Sequence, residues 1–279
     1  MIGSIGRFVE RGSFGMSVSF KKGSDYARTF STIKEELKAS VSEKYSIHPF
    51  TDGLDRGNAL PVMKKYLAMS EAFPYIQAGA YNRLIMSAIR RNSPISSKIE
   101  KTFVVGSFLS WDETGGNYLI RKEGIAALPK ILDTKKHFHA AYLKTDLKYI
   151  WGSDIKPDYC PDTREYLVTL GHKLGSSNHL ERCATMVAFE MHAGQMIEAL
   201  WKSLCKTMWI EPDKLQYFKM HVGGDDPGEE YHIELTQKLI DSFVPGSKRA
   251  EFIFWFDQAY LLNIEWCKAL CKDRNNRYK

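Results

Sequence analysis

The sequence predicts an all-α fold: one helical domain over residues 31–279, preceded by an irregular arm at 1–30. Three observations predict it. Apolar residues recur at three- and four-residue spacing through most of the chain, as in Met63, Tyr66, Leu67, Phe73 and Ile76. Helix punctuation separates these stretches, with Pro61 in a first turn and the pair Gly115-Gly116 after a last one. No alternating strand pattern, repeat, glycine-rich phosphate loop or Gly-x-Ser-x-Gly elbow interrupts them. At 279 residues, 44% hydrophobic and 13% aromatic, the chain can bury a large core.

Charge narrows the partners. The 39 Lys and Arg against 33 Asp and Glu give a net +6. These charges are spread out, without the basic, aromatic-interleaved block of a nucleic-acid binder. An acidic metabolite or acidic partner protein stays open. No run of about 18 uninterrupted apolar residues occurs, so no membrane span is expected. The N-terminus lacks an apolar signal region. Five scattered cysteines are no disulfide framework and suit a reducing cytoplasm. Cys267 and Cys271, one turn apart, read as small core residues or a metal pair.

The elements follow in order. The arm carries Arg7, Arg11, Lys21, Lys22 and Arg28. Helical pattern begins near Thr29. His48-Pro49-Phe50 marks a turn, and the helix from Pro61 should kink at Pro74. A helix from about Ser96 to Glu113 stops at the glycine pair. A link with a short amphipathic piece fills 114–135. A further helix carries His137 and His139, about 200° apart, so at most one faces inward. His139 shares a stripe with Leu143, Leu147 and Ile150, which makes it the inward one. A loop and a shorter helix with Asp162 near its start lead to a long helix over about 180–207.

On that long helix Glu190 shares the apolar stripe of Met186, Ala193, Ile197 and Trp201. A carboxylate there costs several kcal/mol unless a cation or proton accompanies it; a structural Arg is the plain alternative. Glu113 shares a stripe with Gly106 and Leu109, at a helix C-terminus that repels an anion unless compensated. Farther on, His221, Asp225 and His232 fall on one face if their helix is continuous. Gly223, Gly224, Pro227 and Gly228 argue for a break instead, with Asp226 as a cap, so Asp225 and Asp226 stand as rival carboxylates. Glu113, His139, Glu190, His221, Asp225 and His232 thus form a candidate set of three carboxylates and three imidazoles. Oxygen and imidazole donors without thiolate suit iron or manganese. Six are too many for one catalytic ion with open positions and suit two.

The pieces HPF, MKKYL, FPYI, the Glu113 helix end, FH-x-x-x-L closing in WG, MVAFE and YF-x-x-H-x-x-x-D resemble the haem-oxygenase-like diiron oxidases and oxygenases. These are relatives of the thiaminase II and pyrroloquinoline-quinone synthase folds. The resemblance spans roughly residues 45–245. It implies a bundle of about seven main helices and two Fe ions (or Mn). Glu113 and His139 would come from the first core helix, Glu190 from the second, and His221, Asp225 and His232 from the third. This chain departs from the pattern in placing 25 residues between Glu113 and His139 and extra residues in GGDDPGEEYH. Asp226, Glu229 and His137 therefore stay open as alternative ligands. Trp111, Phe138, Phe189, Tyr217 and Phe218 are candidates for the pocket wall. The implied activity is O2-dependent oxidation of a small amine, amino-acid-like or fatty-acid-like substrate. The rival readings are a metal-independent enzyme of the same fold, quinone-cofactor-synthase-like or thiaminase-like, and a non-enzymatic helical scaffold. A homodimer is the default assembly.

Overall fold

A computed structural model of the chain describes residues 32–272 apart from Pro227; the arm at 1–30, the last residues and the side chain of Glu229 lie outside the described residues. The described residues are all-α, with thirteen α-helices, eight of them twelve residues or longer, and short 3-10 turns. Helix α1 (Ile33–Lys44) starts at a capping box in which Thr32 and Glu35 satisfy each other's backbone N–H groups. Helix α2 (Pro49–Gly53) is capped by His48 and followed by α3 (Ala59–Gly79), which runs on through Pro74. Then come α4 (Asn82–Arg90), α5 (Ser97–Glu113) and α6 (Gly116–Glu123). A 3-10 segment Ile125–Leu132 leads to α7 (Thr134–His137).

The expected single helix around His137 and His139 is two. Phe138 takes extended dihedrals (φ −66°, ψ 140°), ending α7 and starting α8 (His139–Trp151). His137 and His139 therefore lie on two helices, so both can face inward, and both are buried. Next are α9 (Pro161–Leu174), the long α10 (His179–Met208), α11 (Gln216–Val222), α12 (Glu229–Phe243) and α13 (Arg249–Cys271).

Helix α10 is the axis. It packs on α2, α5, α9, α11, α12 and α13, and is buried from Arg182 to Phe189 without interruption. A helix apolar on nearly all sides belongs in a core. Its polar exceptions, Arg182, Glu190 and His192, therefore each need a partner, and the three find different ones. Among the described residues no helix is long and apolar enough to cross a membrane.

Candidate metal centre

Two local devices bring the distant histidines together. Gly115, at φ 79°, turns the chain after α5 and lies so close to the His137 carbonyl that a Cβ would sit 2.0 Å from its oxygen. Only glycine meets both demands. The detour through α6 and α7 thus returns to the end of α5 and sets the start of α8 beside it. Asp146 on α8 then accepts hydrogen bonds from Gln216 N (2.9 Å) and Tyr217 N (2.8 Å), capping α11 and fixing where His221 falls.

Glu113, His139 and His221 meet, with their ligand atoms all within 4.8 Å of one another. His139 Nδ1 lies 3.1 Å from His221 Nε2 and 3.5 Å from Glu113 Oε2; His221 Nε2 lies 3.7 Å from Glu113 Oε1. His221 Nδ1–H donates to the Tyr217 carbonyl at 2.8 Å, which leaves the Nε2 lone pair facing the cluster. Burial pushes the Glu113 carboxyl up, but His139 and His221 outweigh it and hold the group well below the usual carboxylate range.

The second lobe is built on α10 and α12. His232 lies between two carboxylates: Nδ1 is 3.1 Å from Glu190 Oε2, and Nε2 is 2.8 Å from Asp112 Oδ2. Asp112 was not among the sequence candidates. Burial raises its carboxyl, and the His232 hydrogen bond more than reverses that. Asp226 joins the lobes, with Oδ2 4.0 Å from His139 Nε2 and Oδ1 accepting from Gly228 N at 2.7 Å. A Cβ at Gly228 would stand 3.0 Å from both Asp112 Oδ1 and Asp226 Oδ1, so glycine there lets the two acids approach.

Five of the six sequence candidates are gathered here. Asp225 is not: its side chain is exposed and pairs with Lys219 at 3.4 Å, while Asp226 is buried beside His139. The break between α11 and α12, not a continuous helix, decides between the rivals. His137 is buried apart from the cluster and lines an outer cleft with Tyr118 and Tyr142. A cavity of about 140 Å³ opens onto Glu113, Glu190, His221 and His232. Phe189 and Tyr217 are in its wall as expected; Trp111, Phe138 and Phe218 are not. Trp111 covers Gly116, and Phe218 stacks on Trp201. Tyr66, missed in the sequence, faces the cavity and shares a 2.9 Å hydrogen bond with Tyr217; burial raises its phenol well above the ordinary value.

The residues fit a metal. Asp112 Oδ1, His139 Nε2 and Asp226 Oδ2 are buried without a hydrogen-bond partner. A neutral His139 cannot serve both sides. With its proton on Nδ1 it donates to His221, but its Nε2 lone pair then faces the Asp226 carboxylate. With its proton on Nε2, two lone pairs meet at 3.1 Å. A positive charge among these groups resolves the conflict, and oxygen plus imidazole donors select a hard or borderline divalent ion.

A second histidine pair is different. His48, His192 and Cys267 also bring potential ligand atoms within 4.8 Å. But His48 Nδ1 accepts from Phe50 N at 3.2 Å, so its proton sits on Nε2, pointing at His192 Nε2 3.2 Å away. A ligating imidazole donates its second nitrogen's proton outward; this one is committed to capping α2. Burial pushes His48 down to about 4 and raises the Cys267 thiol.

No family model matches the chain, and no curated protein matches it. Among solved structures, a CADD-like protein of unknown function from Nostoc punctiforme PCC 73102 has a TM-score of 0.62 at 14% identity. The match covers 86% of this chain and 95% of that one. The likeness is one of fold: both chains are all-α bundles.

Proposed function

We propose that the chain is a non-haem diiron oxygenase or oxidase of the haem-oxygenase-like group. The observation that carries this reading is the pair of joined lobes, Glu113–His139–His221 and Glu190–His232–Asp112, with Asp226 between them and a cavity at their edge. Bound iron (manganese in a variant loading) would supply O2 activation, with O2 as co-substrate.

The chain's own residues do the rest. Glu113, His139 Nδ1 and His221 Nε2 would hold one ion, a two-imidazole, one-carboxylate face. Glu190 and His232 Nδ1 would hold the other. Asp112 accepts the His232 Nε2 proton and the Tyr217 carbonyl accepts that of His221, fixing both tautomers as outer partners of metal-bound histidines do. Asp226 is placed to do the same for His139 or to ligate.

The cavity wall of Met69, Phe73, Phe189, Met196 and Ile197 excludes water and offers no Lys or Arg among its lining residues. It suits a small substrate with an apolar body and an amine rather than one recognised by its carboxylate. Ser70 Oγ, buried there without a partner, is the hydroxyl placed to orient it.

Anaerobic Fe(II) titration tests this. Two irons per chain are expected, with one or fewer in Glu190→Ala and loss of O2 consumption in that folded variant. Full O2-dependent turnover by Glu190→Ala, or no iron uptake by the folded chain, would leave the metal-independent enzyme or the scaffold.

A further inference from the structure

The segment Ile125–Leu132 breaks the rule that apolar stretches face inward. Six of its eight residues are apolar, yet Ala127 is the buried one. Ile125 is 69% exposed, Leu132 82% and Leu128 38%. In a 3-10 segment residues three apart eclipse one another, so Ile125 and Leu128 form one ridge, and Leu132, about 120° around from it, adds a second exposed apolar tip at the segment's end. Single exposed leucines need no explanation; a contiguous apolar ridge does.

Charge surrounds that ridge. Residues 121–136 hold five basic side chains (Arg121, Lys122, Lys130, Lys135, Lys136) against two acidic ones (Glu123, Asp133). Glu123 is taken by Lys130. The remaining cations, Arg121, Lys122, Lys135 and Lys136, are exposed and flank the segment on both sides in sequence, and the three lysines share one cleft beside Glu123 and His137.

We infer that this segment docks the protein on an anionic lipid surface, with Ile125, Leu128 and Leu132 entering the interface and the flanking cations meeting headgroups. Composition favours a membrane over an acidic protein. Protein interfaces are centred on aromatic and Arg residues and are depleted in lysine. Aliphatic tips among lysines are the pattern of segments that lie in a bilayer surface. The contact requires no spanning helix, and it does not depend on the metal reading. It lies one short helix, α7, from His139, so the docked face is close to the candidate centre.

Vesicle co-sedimentation of the full chain tests the inference, with phosphatidylcholine vesicles against vesicles containing phosphatidylserine. Binding to the anionic vesicles alone, weakening with salt, is expected. Lys135→Ala with Lys136→Ala should lower partitioning roughly 30-fold. Ile125→Ser and Leu132→Ser should each lower it roughly tenfold. These side chains are exposed, so the variants keep the fold, and an unchanged thermal midpoint checks that. No sedimentation with anionic vesicles overturns the inference. So does wild-type sedimentation by the variants, which would place binding elsewhere, such as the basic arm. Retention on immobilised polyglutamate without vesicle binding would assign the ridge to an acidic protein instead, and overturns it equally.

Discussion

Helix α10 carries two buried charged groups two turns apart, and they are treated in opposite ways. Arg182 is 1% exposed and fully occupied: Nε donates to Thr102 Oγ1 at 3.0 Å, Nη1 to the Ser176 carbonyl at 2.5 Å, Nη2 to the Lys98 carbonyl at 3.2 Å. All three acceptors are neutral. Glu190, bonded to His232, lies in a group where Asp112, Glu113 and Asp226 crowd three histidines and two carboxylate oxygens and one imidazole nitrogen are left without partners. A buried charge that only holds the fold together is satisfied completely. Buried groups left unsatisfied are what a cation site would offer. The Arg beside Glu190 that a purely structural reading would require is present on the helix but bound to α5 and the α9–α10 turn.

The largest expected effect breaks the satisfied side. Arg182→Met removes the guanidinium's donors from the Thr102 hydroxyl and from the part-buried Ser176 and Lys98 carbonyls and leaves an apolar side chain in a polar site, at about 1–3 kcal/mol per group. Urea denaturation should show a loss of roughly 3–5 kcal/mol. Iron uptake per folded chain should not change. A variant that folds as well as the parent but loses iron would mean that Arg182 belongs to the metal centre and that the comparison is wrong.

Asp146 sharpens the contrast, because it is a buried carboxylate on the satisfied side. Burial raises its pKa from 3.8 to about 6 despite the two backbone N–H groups of α11. The folded state therefore keeps a proton that the unfolded chain gives up. The associated stability is present below pH 3.8 and is lost as pH rises through about 6. On the order of 3 kcal/mol is involved. Denaturation midpoints at pH 4 and 7 should show this slope in the wild type and not in Asp146→Asn. An equal slope in the variant would assign it to other carboxylates.

The unsatisfied side should respond with little change in stability. Asp226→Asn keeps the acceptor for Gly228 N and removes one charge from a crowd of four carboxylates. The metal-free protein should be unchanged or stabilised by up to ~1 kcal/mol. Iron uptake should fall from two to one or fewer. A clear destabilisation with iron binding intact would make Asp226 a loop cap and nothing more.

The fold class was legible because helical periodicity and glycine stops are local signals. The candidate site was legible where an ionisable residue sat on an apolar stripe, as with Glu190 on α10 and His139 with Leu143 and Leu147. Pairing Glu113 with His139 was harder. It depends on Gly115 and on the break at Phe138, and a break allowed by extended dihedrals at one phenylalanine leaves no mark in composition. Asp112 was missed because it is adjacent to Glu113 and about 100° around the helix from it. One apolar stripe holds only one of two such neighbours, yet at the last residues of α5 both reach inward. The acidic pair in WDETGG was the available signal.

The smallest expected effect tests the choice that periodicity got wrong. Asp225 shares a helical face with His221 only if α11 continues through Gly223 and Gly224, and Gly224, at φ 85°, turns the chain away. The Asp225 side chain then meets Lys219 in solvent, both partners being more than a third exposed. Surface pairs of this kind contribute about 0–1 kcal/mol. Asp225→Ala should therefore change stability by less than about 0.5 kcal/mol and leave two irons bound, whereas Asp226→Asn does not keep both. If Asp225→Ala lost an iron and Asp226→Asn did not, the α11–α12 loop would have to exchange the two aspartates on metal binding. Asp226 would then be the cap and Asp225 the carboxylate beside His139.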